Sequence, residues 1–176
     1  MSTTHPDTTH PDTTHPDTAH PDTAAELTVA RSQRDWILRW DKRPDQQLGA
    51  FEDVFAEHYD FDAPVILFDD FDPQRRVFRT VRDYAEAFWP GFQRMRSAEH
   101  GIEVEPEVLV SGDLAATRMV FTAVLELADG TVVANRCTNS QVWRRTGGLG
   151  WRIARDYTSV AAVEIEAARR LVAAGR

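Results

Sequence analysis

The 176-residue chain has one cysteine, Cys137. An intrachain disulfide and a zinc site built from several cysteines are therefore both excluded. No apolar run approaches the roughly 20 residues of a membrane span. The N-terminus lacks a basic start followed by an apolar core, so no secretory signal is expected. Positive charge is also scarce. The formal net charge is −8, the wrong sign for a nucleic-acid binder, which needs a basic face. The acidic cluster Asp69-Asp70-Phe71-Asp72-Pro73 lacks the longer, glycine-containing spacing of a calcium loop. No cofactor and no metal are implied. Hydrophobic residues at 42% and charged residues at 27% are ordinary for a soluble globular protein, and the length suits one domain with a real core. Cys137 falls mid-strand, where a free cysteine is expected to be buried and inert. Its isolation fits a reducing cytoplasm.

Residues 4–23 are four copies of a five-residue unit, THPDT three times and then AHPDT. A proline in every unit forbids a regular helix, and apolar residues are almost absent. The expectation is a disordered tail over 1–24, an α+β domain over 25–162 and a C-terminal helix over 163–176. The four repeat histidines (His5, His10, His15, His20) offer loose ligands to a transition metal, but the composition reads first as a solvated tail.

Thr23-Ala24-Ala25-Glu26 has capping-box spacing and predicts a helix whose apolar face carries Val29, Trp36, Ile37 and Trp40. A second helix is predicted over Asp45–His58, with Leu48, Phe51, Val54, Phe55 and Tyr59 as its stripe. Ala63–Phe68 reads as a short strand ended by the acidic cluster, which is turn material and also the first candidate for chemistry. Thr80-Val81-Arg82-Asp83 opens the clearest amphipathic helix, carrying Tyr84, Phe88, Trp89 and Phe92, with Pro90-Gly91 expected to kink or shorten it.

From Ile102 onward the chain reads as strands. Ile102–Val110 is distorted at Pro106, Leu114–Leu127 follows a Ser-Gly-Asp turn, and Asp129-Gly130 is a strong hairpin signal. Thr131–Ser159 is then two long strands joined by Gly147-Gly148-Leu149-Gly150. By alternation, Asn135, Cys137, Asn139, Gln141 and Trp143 share one face, and Trp151, Ile153, Arg155, Tyr157 and Ser159 share another. A face that mixes Asn, Gln, Arg and Tyr with Trp and Ile reads as a cavity wall. Met119, Phe121, Ala123, Leu125 and Leu127 make a strand face apolar enough to need a cover.

This order, with Val142-Trp143-Arg144-Arg145, the glycine-rich turn and Trp151-Arg152-Ile153 through Ser159, resembles the SnoaL-like domains of the nuclear-transport-factor-2-like superfamily. That superfamily includes ketosteroid isomerase and polyketide cyclases, and the ending is also similar to the association domain of calmodulin-dependent kinase. The resemblance implies an α+β fold, a strongly curved antiparallel sheet wrapped around N-terminal helices into a cone. It places the isomerase general base at Asp69, with Asp70 as the alternative register. The isomerase oxyanion-hole Asp matches Gln141, and its partner tyrosine falls near Ile37, so that donor is missing. Where many relatives carry His-x-His, this chain has Arg155-Asp156-Tyr157, with Arg155 and Tyr157 expected inside and Asp156 facing away.

The resemblance thus implies a small-molecule isomerase, cyclase or dehydratase working by acid–base chemistry, a place in secondary metabolism included. Asp69, Asp70 and Tyr157 are the catalytic candidates. Arg155, Gln141, Asn139, Trp40, Tyr84, Trp89 and Arg118 are the candidates for holding substrate, although aromatics at helical spacing also serve a core. A non-catalytic ligand-binding or dimerisation module of the same fold is the rival reading. An Arg155–Asp69 ion pair with no open cavity beside it would favour the rival. A homodimer through the sheet is expected on the resemblance.

Overall fold

Helix α1 runs Pro21–Leu38 in a computed structural model that describes residues 21–175. It starts two residues before the expected cap at Thr23, and proline is tolerated there because a first-turn N–H has no helical partner anyway. The tail expectation otherwise falls on residues 1–20, outside those described. The second helix is much shorter than its periodicity predicts: α2 spans only Phe51–Phe55. Asp45 adopts a left-handed φ of 62°, which a helix cannot continue through. The first turn instead forms where the Asp53 carboxylate accepts the Ala50 N–H at 2.9 Å. The aromatic stripe still reaches the core, with Phe51, Phe55 and Tyr59 all buried.

Strand β1 is Ile66–Asp69. Helix α3, Val81–Gln93, starts at the expected cap, where the Thr80 hydroxyl accepts the Asp83 N–H at 3.1 Å. It continues through Pro90 to Gln93. Four long strands follow: β2 Ser97–Ser111, β3 Leu114–Glu126, β4 Val132–Thr146 and β5 Gly150–Ala162. The sheet is five-stranded, in the order β1-β5-β4-β3-β2. Every pairing is antiparallel except β1 with β5, which is parallel. The sheet is curved and unclosed, the cone that the resemblance led one to expect. The distortion expected at Pro106 appears as register shifts between Ile102 and Glu107.

The two sheet faces bury different things. Met119, Phe121, Ala123 and Leu125 belong to the main core with residues of α1 and α3. The apolar face that seemed to need a cover is thus the inside of the cone, covered by the chain's own helices. On the outside, helix α4 (Ile165–Ala174) lays Ala168 and Val172 on Val124 and Ala134. Its close approach depends on Gly101, where a Cβ atom would fall 2.4 Å from the Val172 Cα.

One irregularity decides which side chains enter the cone. In the β4–β5 ladder Trp143 pairs with Ile153 but Val142 pairs with Arg155, so Ala154 is an extra residue. Such a β-bulge shifts the phase of every later side chain by one position. Trp151 and Ile153 point in before it, and Asp156 and Thr158 point in after it. Arg155 is exposed, and Tyr157 is half-buried on the outside, stacked on Phe68 with ring centroids 4.5 Å apart. The strict alternation read from the sequence is corrected here: Asp156 faces inward, while Arg155 and Tyr157 face outward.

Candidate active site

Beneath the curved sheet lies a cavity of about 310 Å³. Its walls are mostly aromatic. Trp36 and Trp40 come from α1 and the residues after it, Phe88 and Phe92 from α3, and Phe121 from β3. Polar groups enter at a few points only. Asp69 arrives at the end of β1, Tyr84 on α3, Thr158 on β5 and His100 on β2, while Asp72 and Arg76 sit in the loop after β1. An apolar chamber with a few convergent polar groups is the usual form of a small-molecule site.

Asp69 is 6% exposed. The Tyr84 hydroxyl donates to its Oδ2 at 3.1 Å, and the Phe71 N–H donates to its Oδ1 at 2.9 Å. Burial raises its pKa to about 6, against these two donors, which favour the charged form. Asp69 is thus a carboxylate near neutrality whose basicity exceeds that of an ordinary aspartate. The Tyr84 hydroxyl is pushed well above its usual range, first by burial and then by the Asp69 charge, and remains a hydrogen-bond donor. Removing that donor in Tyr84→Phe should raise the Asp69 pKa further, because a hydrogen bond to the charged form is lost. A carboxyl-carbon NMR titration measures this, and an unchanged or lowered value would contradict the geometry.

On another wall, His100 is 5% exposed. Its Nδ1 lies 3.0 Å from Asp41 Oδ1, and its backbone N–H donates to the same oxygen at 2.8 Å. Asp41 therefore fixes the ring with Nδ1–H donating, which leaves Nε2 as the nitrogen available to a ligand. At the rim, Arg76 Nε donates to Asp72 Oδ2 at 2.8 Å while its guanidinium lies over the Phe78 ring, and this pairing holds the Asp72 carboxyl at about 2. Among the described residues no group of three or more His, Cys, Asp and Glu side chains is placed to hold a metal ion.

Behind the cavity the inner face of β4 carries Asn139 and Gln141, both buried. Asn139 Nδ2 donates to Asp156 Oδ1 at 2.6 Å and to Thr158 Oγ1 at 2.9 Å, and its Oδ1 accepts from Gln33 Nε2 at 2.8 Å. Tyr59 accepts from Trp36 Nε1 at 3.1 Å. Burial, with Asp156 and Asp69 nearby, raises the Tyr59 hydroxyl well above its usual range.

A sequence model of the SnoaL-like domain matches residues 21–156. This chain belongs to the SnoaL-like domain family. The SnoaL-like domain here superposes on a nuclear-transport-factor-2-like superfamily protein from Salmonella enterica with a TM-score of 0.67 at 17% identity, covering 80% of this chain and 94% of that one. A candidate dehydratase of the same superfamily from Streptomyces avermitilis gives 0.57 at 17% identity, over 82% and 100%. The association domain of CaMKII from C. elegans gives 0.56 at 12%, over 78% and 97%. Identities this low establish the shared fold alone. No curated protein matches the chain.

In this SnoaL-like domain the candidate residues separate clearly. Asp69, Tyr84 and Trp40 meet in the cavity wall. Asp70 does not: it is half-buried, pointing away, with Arg75 Nε 3.8 Å off. Arg155 and Tyr157 are excluded by the bulge. Arg118 is exposed on the outer face, paired with Glu107 at 3.1 Å. Trp89 is core, donating to the Gly49 carbonyl at 2.9 Å and stacked on Phe92. Asn139 and Gln141 sit one layer behind the cavity lining. Cys137 is buried, its thiol pushed up to about 12 by burial.

Sequence reasoning missed Asp156, Tyr59, Thr158 and the His100–Asp41 pair. For His100 a signal existed: β2 begins at Ser97, so strand alternation extends five residues earlier than the expected start at Ile102.

Proposed function

We propose that this SnoaL-like domain is a small-molecule enzyme working by acid–base chemistry on an apolar, oxygenated substrate, as an isomerase, cyclase or dehydratase. The observation that carries this reading is Asp69, a buried carboxylate with raised pKa in the wall of an aromatic chamber, with Tyr84 donating to it. Asp69 takes a proton from a carbon beside a substrate carbonyl. The C–H electron pair moves onto the carbonyl oxygen as an enolate. The proton then returns at another carbon, giving isomerisation, or a β-hydroxyl leaves as water after receiving a proton, giving dehydration. The proton that Asp69 has taken is the one that hydroxyl receives, while His100, whose Nδ1–H donates to Asp41, offers Nε2 as an acceptor that orients a substrate hydroxyl. Aromatic walls suit a polycyclic, polyketide-like molecule, which supports a role in secondary metabolism.

An Asp69–Arg155 ion pair with no open cavity beside it would have favoured the non-catalytic reading. Arg155 lies outside the cone, and Asp69 opens on a cavity. A homodimer in the cytoplasm is part of the proposal. Ile66 and the stacked Phe68–Tyr157 pair lie on the outer sheet face, which a second copy would cover.

The test uses polycyclic ketones and β-hydroxy ketones in D2O. Binding is read from quenching of the cavity tryptophans, and chemistry from mass spectrometry. At least one binder should gain carbon-bound deuterium or lose water only when the protein is present. Cavity binders that neither exchange nor convert would count against an enzyme and in favour of a binding module.

A further inference from the structure

Asp156 is 4% exposed and does not line the cavity. The bulge at Ala154 turns it inward, and Asn139 holds its Oδ1 at 2.6 Å. Asn139 is itself fixed by Gln33 from α1 and reaches the cavity wall through Thr158. The groups around Asp156 are Asn139 and Gln141 from β4, Tyr59 from the segment after α2, Asp69 from β1 and Tyr84 from α3. Those acting on it most strongly include no cation. Gln141 lies beside it and favours its charged form. Neither Gln141 amide atom makes a hydrogen bond of good geometry, however, so this neighbour is a poor partner for a full charge.

A buried carboxylate needs a cation or several strong donors to stay ionised. Asp156 has amides and, in the same dry interior, a second acid. Two like charges sharing one interior ionise in sequence, as a pair. Asp69 has the advantage of two well-placed donors and an opening onto the cavity.

We propose that Asp156 is a positioning residue that keeps a proton inside the cone, so that Asp69 is the one of these two inner carboxyls that is ionised in the working enzyme. This rests on the acid–base reading of Asp69. It accounts for a buried acid that has no route to substrate except through Asn139 and Thr158. Burial raises both carboxyls, Asp69 to about 6 and Asp156 to about 7, with the Asp69 charge among the causes at Asp156.

The test is a carboxyl-carbon NMR titration of the full chain labelled at aspartate, beside Asp156→Asn, Asp69→Asn and Asn139→Ala. The wild type should show two elevated transitions. Asp156→Asn should remove the upper one. Asp69→Asn should move the Asp156 transition down by roughly one unit, since the coupled charge is gone. Asn139→Ala should move it up, which keeps the test decisive if Asp156→Asn fails to fold. An Asp156 already ionised at pH 5, or one whose transition ignores Asp69→Asn, would overturn the proposal. The titration needs no substrate, so it stands or falls separately from the exchange assay that tests Asp69 as a base.

Discussion

Asp69→Asn should lower kcat by about 10²–10⁴-fold, the usual contribution of a positioned general base, with the fold intact. The substitution is nearly isosteric. Its amide oxygen can keep the Phe71 N–H bond made by Oδ1, and its NH2, in the place of Oδ2, can donate to the Tyr84 hydroxyl oxygen once that hydroxyl rotates. What it removes is basicity. The loss should fall on kcat rather than on KM, because the aromatic walls that bind substrate are untouched. Asp70→Asn should change activity little, since Asp70 points away from the cavity toward Arg75. Parallel circular dichroism and substrate-binding curves for wild type and variant separate lost chemistry from lost structure. An Asp69→Asn protein with full turnover on a true substrate would remove Asp69 from the mechanism.

The largest effect on stability is expected at Phe55. The side chain is fully buried. Its ring meets Phe51 at 4.6 Å, Trp40 at 4.8 Å, Trp89 at 6.0 Å, His58 at 6.1 Å and Tyr59 at 6.3 Å between centroids. Truncation to alanine loses the transfer energy of a phenyl ring and leaves a cavity that five ring neighbours cannot easily fill. Phe55→Ala should therefore cost about 3–5 kcal/mol, a large share of the ~5–15 kcal/mol that holds a typical domain together. For a chain of this size each kcal/mol moves Tm by about 2–4 °C, so the melting point should drop by roughly 6–20 °C. Activity at low temperature should also fall, because Trp40 is a cavity wall and Tyr59 lies near both inner carboxyls. Thermal unfolding by circular dichroism checks the first effect. A drop of only a degree or two would mean that the aromatic cluster collapses freely around the gap.

The legibility of the sequence followed its periodicities. Strands β3, β4 and β5, the Thr80 cap and the amphipathic α3 stand where the residues place them, because each carries a local signal: alternation, a capping hydroxyl, or a stripe at three and four. Asn139 and Gln141 point inward as alternation requires. Helix α2 was overcalled because its apolar spacing extends back to Leu48, while Asp45 sits in a left-handed conformation that spacing cannot reveal. The last strand misled for a related reason. A single extra residue at Ala154 carries no composition signal, yet it exchanges Arg155 and Tyr157 for Asp156 and Thr158 inside the cone. His100 and Asp41 are 59 residues apart in sequence, and only the sheet brings them together. Asp69 was legible through the family resemblance, which marks the end of the first strand. Its pairing with Tyr84 was not, because it depends on how α3 crosses the sheet.

The most direct measurement is the pH dependence of kcat/KM for wild type beside Asp69→Asn, on a substrate found by the exchange assay. The profile of kcat/KM reports the ionisation of essential groups in the free enzyme. The expected result is an acidic limb with a midpoint near the Asp69 value of about 6, activity falling below it as the base is protonated, and no such limb in the residual activity of Asp69→Asn. A wild-type profile flat through that region, or a limb that survives Asp69→Asn, would contradict the account.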